Sequence, residues 1–128
     1  MCDDDFLDLR CLLRGGHTAP SYRYCILYLG ANRALLITYL NRELKEISCF
    51  VSYVPAVGLE HTFIKSVSRY DLLLFDERMP GTTGAELVAF TRTVPHRAST
   101  PCIIVPTDAT PENSRHLVEQ IKRLLAPI

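Results

Sequence analysis

The chain has 128 residues, a length typical of one domain with a core of normal size. It carries 14 basic and 14 acidic residues, so its formal net charge is zero, which gives no basic footprint for nucleic acid and no charged block for a membrane surface. The apolar runs are far shorter than the ~20 residues of a membrane-spanning helix. The five cysteines show no CxxC spacing. We therefore expect a soluble, cytoplasmic protein with reduced thiols.

The first segment, residues 1–14, is predicted to be an amphipathic helix that ends before Gly15. Its acidic residues lie at the start and its arginines towards the end, as the helix dipole favours. One helical stripe carries four large apolar residues. They are Phe6, Leu9, Leu12 and Leu13. We divide the chain into this helix with its loop, residues 1–23, and a second region, residues 24–128.

The second region alternates predicted strands with predicted helices. Three apolar runs lack polar alternation, as strands covered on both faces do: residues 24–29, 71–75 and 101–105. Residues 47–54 alternate more and are predicted to form an edge strand. Helical periods lie between the strands, around residues 35–44, 59–67 and 87–90. This order predicts an α/β fold with a doubly wound parallel sheet.

The last predicted helix begins with Thr110 as N-cap and Pro111 at the first helical position. We expect it to end near Lys122, because "RLLAPI" at residues 123–128 then leaves room for a very short strand. The histidines and cysteines show no metal-ligand or nucleophile pattern, and the glycines no phosphate-binding pattern. No metal, other cofactor or catalytic residue is predicted.

Asp76 ends the third predicted strand and precedes a turn that contains Met79, Pro80 and Gly84. Functional groups gather at the carboxyl ends of strands in an open parallel sheet. The segments "DLLLFDERMPGTTGAEL" and "TPCIIVPTDATPE" resemble the receiver domain of bacterial response regulators. The resemblance covers roughly residues 24–128. It implies a flavodoxin-like sheet of about five strands in the order 2-1-3-4-5, with Asp76 at the phosphoacceptor position.

The other site positions of that family lack their usual side chains here. The acids that hold Mg²⁺ in a receiver fall on Gly30 and Ala31, neither of which offers a carboxylate ligand. The hydroxyl position falls on Pro106, and Thr107 is one residue late, so its side chain should face the other way. The lysine position falls on Ala126. The resemblance therefore implies a degenerate site in which Asp76 is expected to be inactive.

Asp76 itself has two interpretations. In the structural one it caps the following loop or pairs locally with Arg78. In the functional one it is a phosphoacceptor, and Glu77 and Asp108 are the nearby acids available to replace the missing pair. We expect Glu77 to point away from Asp76, and Asp108 to belong to the loop after the fourth strand.

We interpret the chain as a pseudo-receiver, a protein–protein interaction or signalling module of two-component systems, and not as an enzyme. Its expected partner is a protein of the signalling pathway: a histidine kinase, a regulator or an output domain. A second copy of the chain, in a homodimer, is a further candidate, whereas nucleic acid and membranes are not. The alternative is a phosphorylation-driven receiver with Asp76 as phosphoacceptor. An enzyme with other chemistry has no motif behind it.

A receiver closes with a fifth helix after its Lys-Pro, whereas this sequence stops at Ile128. We therefore expect one face of the sheet to lack cover beside the first helix, where a large exposed apolar patch would need an explanation. The N-terminal helix is one candidate for the missing cover, packed in cis or supplied by a second copy. The other interpretation is that residues 1–14 are a linker or a coiled-coil helix.

Overall fold

The computed structural model describes residues 22–30, 33–55, 58–107 and 110–126. These residues form six strands and four helices. The strands are β1 Tyr24–Gly30, β2 Cys49–Pro55, β3 Leu72–Asp76, β4 Arg78–Met79, β5 Thr82–Thr83 and β6 Cys102–Val105. The helices are α1 Ala34–Glu43, α2 Glu60–Lys65, α3 Gly84–Thr93 and α4 Pro111–Leu125. Short 3₁₀ turns follow α1 and α3.

Four strands make one parallel sheet in the order β2-β1-β3-β6, and β4 and β5 form a separate antiparallel hairpin. The register pairs Tyr28 with Leu74 and Asp76 with Val105. The strand predicted as the fourth is thus β6, because the two-residue hairpin strands precede it. The predicted α/β fold class is confirmed, and the four sheet strands of the described residues follow the predicted order 2-1-3-4.

Helices cover both faces of the sheet, which makes the fold doubly wound. One core cluster joins α1 and α4 to the sheet, and a second joins α2 and α3 to its other face. Successive residues of a strand point to opposite faces. β3 is buried throughout and β1 is buried from Ile26 onwards, so both need apolar side chains at nearly every buried position. β2 is partly exposed and lies at the edge, as its alternation predicts.

The last helix begins as predicted, because the Thr110 hydroxyl accepts a hydrogen bond from the Asn113 amide and Pro111 opens the first turn. Its predicted end near Lys122 was wrong, since α4 runs on to Leu125. Leu117, Ile121 and Leu125 repeat every four residues and pack against the same core cluster. Residues 123–125 are therefore helical, and Ala126 caps the helix by donating its amide to the Lys122 carbonyl.

The packing of α4 overturns the expectation that the face beside α1 would lack cover. Leu117 and Val118 of α4 are buried in the cluster that also contains Leu36 and Leu40 of α1. The final helix of the described structure thus provides the cover for which a displaced N-terminal helix was proposed. That helix, and the loop up to residue 21, lie outside the described residues. No helix in the described part of the chain combines the length and apolarity needed to cross a membrane.

Candidate functional site

The candidate site lies at the carboxyl end of β3, where Asp76 stands between β1 and β6. Asp76 is only 3% exposed. It follows Leu72 and Leu74 at a period of two, so its side chain shares their face of the sheet, under α1 and α4. A carboxylate at such a depth needs partners, because an unpaired buried charge is strongly unfavourable.

Two side chains bind the same carboxylate oxygen of Asp76. The Tyr28 hydroxyl of β1 donates a hydrogen bond to Oδ1 at 2.5 Å. The Arg33 guanidinium, just before α1, donates to Oδ1 through Nη1 at 3.1 Å and forms an ion pair with it. Burial, and then the hydrogen bond to Asp76 and its negative charge, raise the pKa of Tyr28 far above its ordinary value. Tyr28 is therefore a neutral donor at every physiological pH.

Arg33 also contacts Pro106, the residue that follows β6. Its Nη1 and Nη2 atoms donate to the carbonyl of Pro106 at 3.4 and 3.3 Å. Pro106 was predicted to stand at the hydroxyl position of a receiver site, and in the structure its backbone oxygen accepts these bonds from Arg33. A single guanidinium thus contacts the ends of β3 and β6, the arrangement that its fork of donors suits.

Gly30, the first predicted acid position, packs closely against Asp76. A Cβ atom built on Gly30 would lie 2.6 Å from Cγ of Asp76, so a larger residue requires the carboxylate to move. The Gly30 carbonyl accepts a hydrogen bond from the Tyr53 hydroxyl at 3.0 Å. Gly84 packs as closely on the other side, since its Cβ would lie 2.7 Å from the Asp76 carbonyl oxygen. Ala31, the second predicted acid position, lies outside the described residues.

Glu77 and Thr107 bind each other. Oε1 of Glu77 accepts hydrogen bonds from the amide of Thr107 at 3.2 Å and from its hydroxyl at 3.1 Å. The acid that follows Asp76 and the hydroxyl that follows Pro106 are thus used in one exposed contact. Asp108 lies outside the described residues.

Ala126 does not occupy the position that the sequence analysis gave it. It was placed at the end of a fifth strand, whereas it follows the last turn of α4. A helix that crosses back over a parallel sheet runs antiparallel to its strands, and 15 residues of helix span about 22 Å. Ala126 is therefore carried away from the carboxyl ends of the strands and from Asp76.

The partners of Asp76 were missed because they are distant in sequence. A loop cap or a local pair with Arg78 was predicted, whereas the observed contacts reach back 48 residues to Tyr28 and 43 residues to Arg33. One signal was available. Tyr28 lies inside a run of buried apolar residues, and a buried tyrosine hydroxyl usually has a hydrogen-bond partner.

The described residues do not fit a bound Mg²⁺. This ion prefers several oxygen ligands in octahedral geometry and gives up its water reluctantly. Here one carboxylate is available, a guanidinium already neutralises it, and Gly30 leaves no room for a second acid. Within the described ranges, no group of three or more His, Cys, Asp or Glu side chains is arranged to hold a metal ion.

Solved structures show the same architecture. The chain matches the chemotaxis response regulator CheY4 of Vibrio cholerae with a TM-score of 0.62 at 21% identity, over 80% of this chain and 98% of that one. The chain has the receiver fold. It matches the phosphorylated cyanobacterial phytochrome response regulator RcpA with a TM-score of 0.58 at 17% identity, over 80% of this chain and 94% of that one.

A longer response regulator contains the fold as one part. The chain spans about half of DrrB, an OmpR/PhoB homologue of Thermotoga maritima, with 80% of this chain and 52% of that one aligned at 15% identity and a TM-score of 0.60. No protein-family model matches the sequence, and no curated protein matches it. The structural matches thus establish the receiver fold, and the residues of the site must carry the argument about function.

Proposed function

We propose that this chain is a degenerate receiver, a pseudo-receiver that acts as a protein–protein interaction or signalling module without Mg²⁺-dependent aspartyl phosphorylation. The proposal rests on the observation that Arg33 and Tyr28 both bind the carboxylate of Asp76. The guanidinium supplies, within the chain, the positive charge that stabilises a carboxylate at this position.

The occupied carboxylate is a poor phosphoacceptor for three reasons. Phosphoryl transfer depends on positioning and on neutralising the charge that develops, for which receivers use a metal ion. The described residues do not fit that ion. In addition, Asp76 is almost inaccessible, and one of its oxygens already accepts two hydrogen bonds. An incoming phosphoryl group would have to displace Arg33 before it reached the carboxylate.

The receiver fold and the sequence resemblance support a protein partner from two-component signalling: a histidine kinase, a regulator or an output domain. The exposed face of α4 is a candidate contact surface, with His116, Glu119 and Arg123 exposed on it. We also propose homodimerisation through this face and a cytoplasmic location. We propose no enzymatic activity, since a receiver acts by binding other proteins.

One observation favours the alternative, a receiver switched by phosphorylation of Asp76. A carboxylate is still present at the end of β3, next to a cation that also contacts the exposed Pro106. In this alternative, the Arg33 guanidinium would release the Asp76 carboxylate and bind the phosphoryl group, whose charge it would neutralise. The two functions differ in one measurable property, the ability of Asp76 to accept a phosphoryl group.

Phosphorylation is tested directly with a small phosphodonor. The chain is incubated with acetyl phosphate and Mg²⁺, and intact-protein mass spectrometry follows the addition of one phosphoryl group. RcpA, whose structure is known in a phosphorylated form, serves as the positive control. The proposal predicts no stable adduct on this chain under conditions that modify RcpA. An adduct that disappears in Asp76→Asn would establish the alternative.

Partner binding gives a second, independent test. The chain is used to capture proteins from the lysate of its native cells, and the capture is repeated with Asp76→Asn. If binding does not depend on a phosphoryl group, both chains should retain the same partner with similar affinity. Loss of the partner in a variant that remains folded would favour the switch.

A further inference from the structure

The outer edge of β6 has no neighbouring strand within the described ranges. β6 lies at one end of the parallel sheet and pairs with β3 alone. Residues 123–125, which were assigned to a short final strand, extend α4 instead, and α4 packs on the face of the sheet that α1 covers. The edge of β6 therefore presents a row of main-chain groups, which is a template for pairing with another strand.

Two hydrogen bonds fix which groups of β6 face this edge. The carbonyls of Pro101 and Val105 accept amides of β3 and of the residue that follows it, at 3.0 and 2.9 Å. Alternate residues of a strand direct their main-chain groups to opposite sides, so Ile103 also bonds towards β3. The amides and carbonyls of Cys102 and Ile104 face outwards, and no described residue bonds to them.

The residues of β6 suit a contact with one further strand. The strand contains no charged residue and no proline, two features by which natural edges avoid pairing. Ile104 is 40% exposed, and its side chain shares the α3 face of the sheet with Cys102. Pro101 and Pro106 flank the strand, and because proline donates no amide they confine pairing to the residues between them.

We propose that this edge pairs with the same edge of a second copy of the chain, in an antiparallel two-fold contact that joins the two sheets. In the register centred on Ile103, Cys102 lies opposite Ile104 of the second copy, and the two residues exchange both main-chain hydrogen bonds. The two-fold axis repeats this pair, which gives about four hydrogen bonds across the edge. The exposed side chain of Ile104 then packs against Cys102 of the second copy, on the same face of the joined sheet.

The charges at the two ends of β6 support this partner. Arg92 lies at the amino end, where its guanidinium donates to the Thr100 carbonyl at 2.9 Å and contacts Sγ of Cys102 at 3.3 Å. Glu77 lies at the carboxyl end, where its carboxylate accepts two bonds from Thr107. Both charged side chains are exposed, and neither forms an ion pair with a described residue. An antiparallel copy brings the Glu77 end of each strand beside the Arg92 end of the other, which a parallel arrangement would not do.

This contact is separate from the candidate site and from the exposed face of α4. It uses main-chain groups of β6 and none of the side chains that bind Asp76. The inference therefore holds whether or not Asp76 is phosphorylated, and its failure would leave the phosphorylation test unchanged. Since the paired surface is small, we expect a weak dimer whose population depends on protein concentration.

Sedimentation velocity of the full chain, over about a hundredfold range of protein concentration, tests the contact. The wild type should change from monomer to dimer as the concentration rises. Ile104→Lys places a charge on the edge and should weaken the association at least about tenfold. The matched control is Phe50→Lys, since Phe50 is 39% exposed and lies on β2, the opposite edge of the sheet. Thermal melting by circular dichroism reports whether each variant is folded.

A charge exchange gives a second measurement, which leaves β6 itself unchanged. Glu77→Arg sets like charges against each other at both ends of the contact and should weaken the dimer. Adding Arg92→Glu to the same chain exchanges the two charges and should restore the association. A purely local effect of either substitution would not be reversed by the other.

Association that Ile104→Lys and Glu77→Arg weaken, that Phe50→Lys retains and that the double variant restores would support the proposal. A chain that stays monomeric at every concentration would overturn it. A dimer that survives Ile104→Lys but is lost in Glu119→Arg would assign the contact to the exposed face of α4 and would overturn it equally.

Discussion

Loss of Arg33 should destabilise the fold far more than loss of a surface arginine. The Arg33 guanidinium and the Asp76 carboxylate are 14% and 4% exposed and lie 3.1 Å apart. Removing one partner from a buried ion pair leaves an uncompensated charge and costs about 3–5 kcal/mol. Tyr28 still donates to Asp76 in Arg33→Ala, so we expect the lower end of this range. Such a loss is a large part of the ~5–15 kcal/mol stability of a small domain.

Urea denaturation followed by far-UV circular dichroism measures this cost, since the chain has no tryptophan. The matched control is Arg42→Ala. Arg42 and Glu43 are 68% and 39% exposed, and such surface pairs contribute at most about 1 kcal/mol. Adding Asp76→Asn to Arg33→Ala removes the orphaned charge. The double variant should therefore be more stable than the sum of the two single losses predicts, by about 1–3 kcal/mol.

Two results would refute the reasoning about this pair. In one, Arg33→Ala destabilises the chain no more than Arg42→Ala does. In the other, the losses from Arg33→Ala and Asp76→Asn simply add, which would show that the two side chains do not interact. Either result would remove the observation on which the proposed function rests.

Three further predictions concern single residues around the site and the core. Burial and Asp76 raise the pKa of Tyr28, so its stabilising effect is complete below the ordinary tyrosine pKa of about 10 and is lost as the pH rises above it. Tyr28→Phe should therefore flatten the loss of stability above pH ~10. An unchanged dependence of the unfolding free energy on pH would contradict the contact. Gly30→Ala should cost about 1–3 kcal/mol in urea unfolding, because its Cβ would push against a carboxylate held by two partners, whereas an unaffected midpoint would argue against that packing. Burial raises the pKa of Cys49 to about 12, so peptide mapping should find it unlabelled by Ellman's reagent at pH 8 until urea unfolds the chain; labelling of the native protein would contradict this.

The sheet could be predicted because its central strands are buried on both faces and their sequences are accordingly continuous apolar runs. Ile26, Leu27, Leu73 and Phe75 are each 0% exposed, and strands covered on both faces require such runs without polar alternation. Helical periods between the strands then fixed the α/β class. The parallel order followed from the resemblance to receivers.

The end of the chain was predicted less well because a family pattern was given more weight than the helical period. Residues 123–125 were assigned to a short strand that receivers have at this point. In the structure they extend α4, since Leu125 lies four residues after Ile121 and packs against the same cluster. The cover over α1 was misjudged for the same reason. Packing between distant elements decided both points.

The place of Asp76 at the end of a buried strand could be predicted from the sequence. That Gly30 and Pro106 do not support metal or phosphoryl binding stays a prediction. The role of Arg33 could not, because the residue follows a loop and reaches Asp76 and Pro106 only through the order of the strands. A pattern in one segment does not report a contact across 43 residues.

The most direct test of the central claim is an NMR titration of the full chain with Mg²⁺ and beryllofluoride, a mimic of the phosphoryl group. If Arg33 and Tyr28 keep Asp76 occupied, the amides of Gly30, Glu77 and Thr107 should not shift at millimolar Mg²⁺, with or without beryllofluoride, while RcpA responds under the same conditions. Saturable shifts centred on Gly30 and Asp76 in this chain would contradict the account and identify a working phosphorylation site.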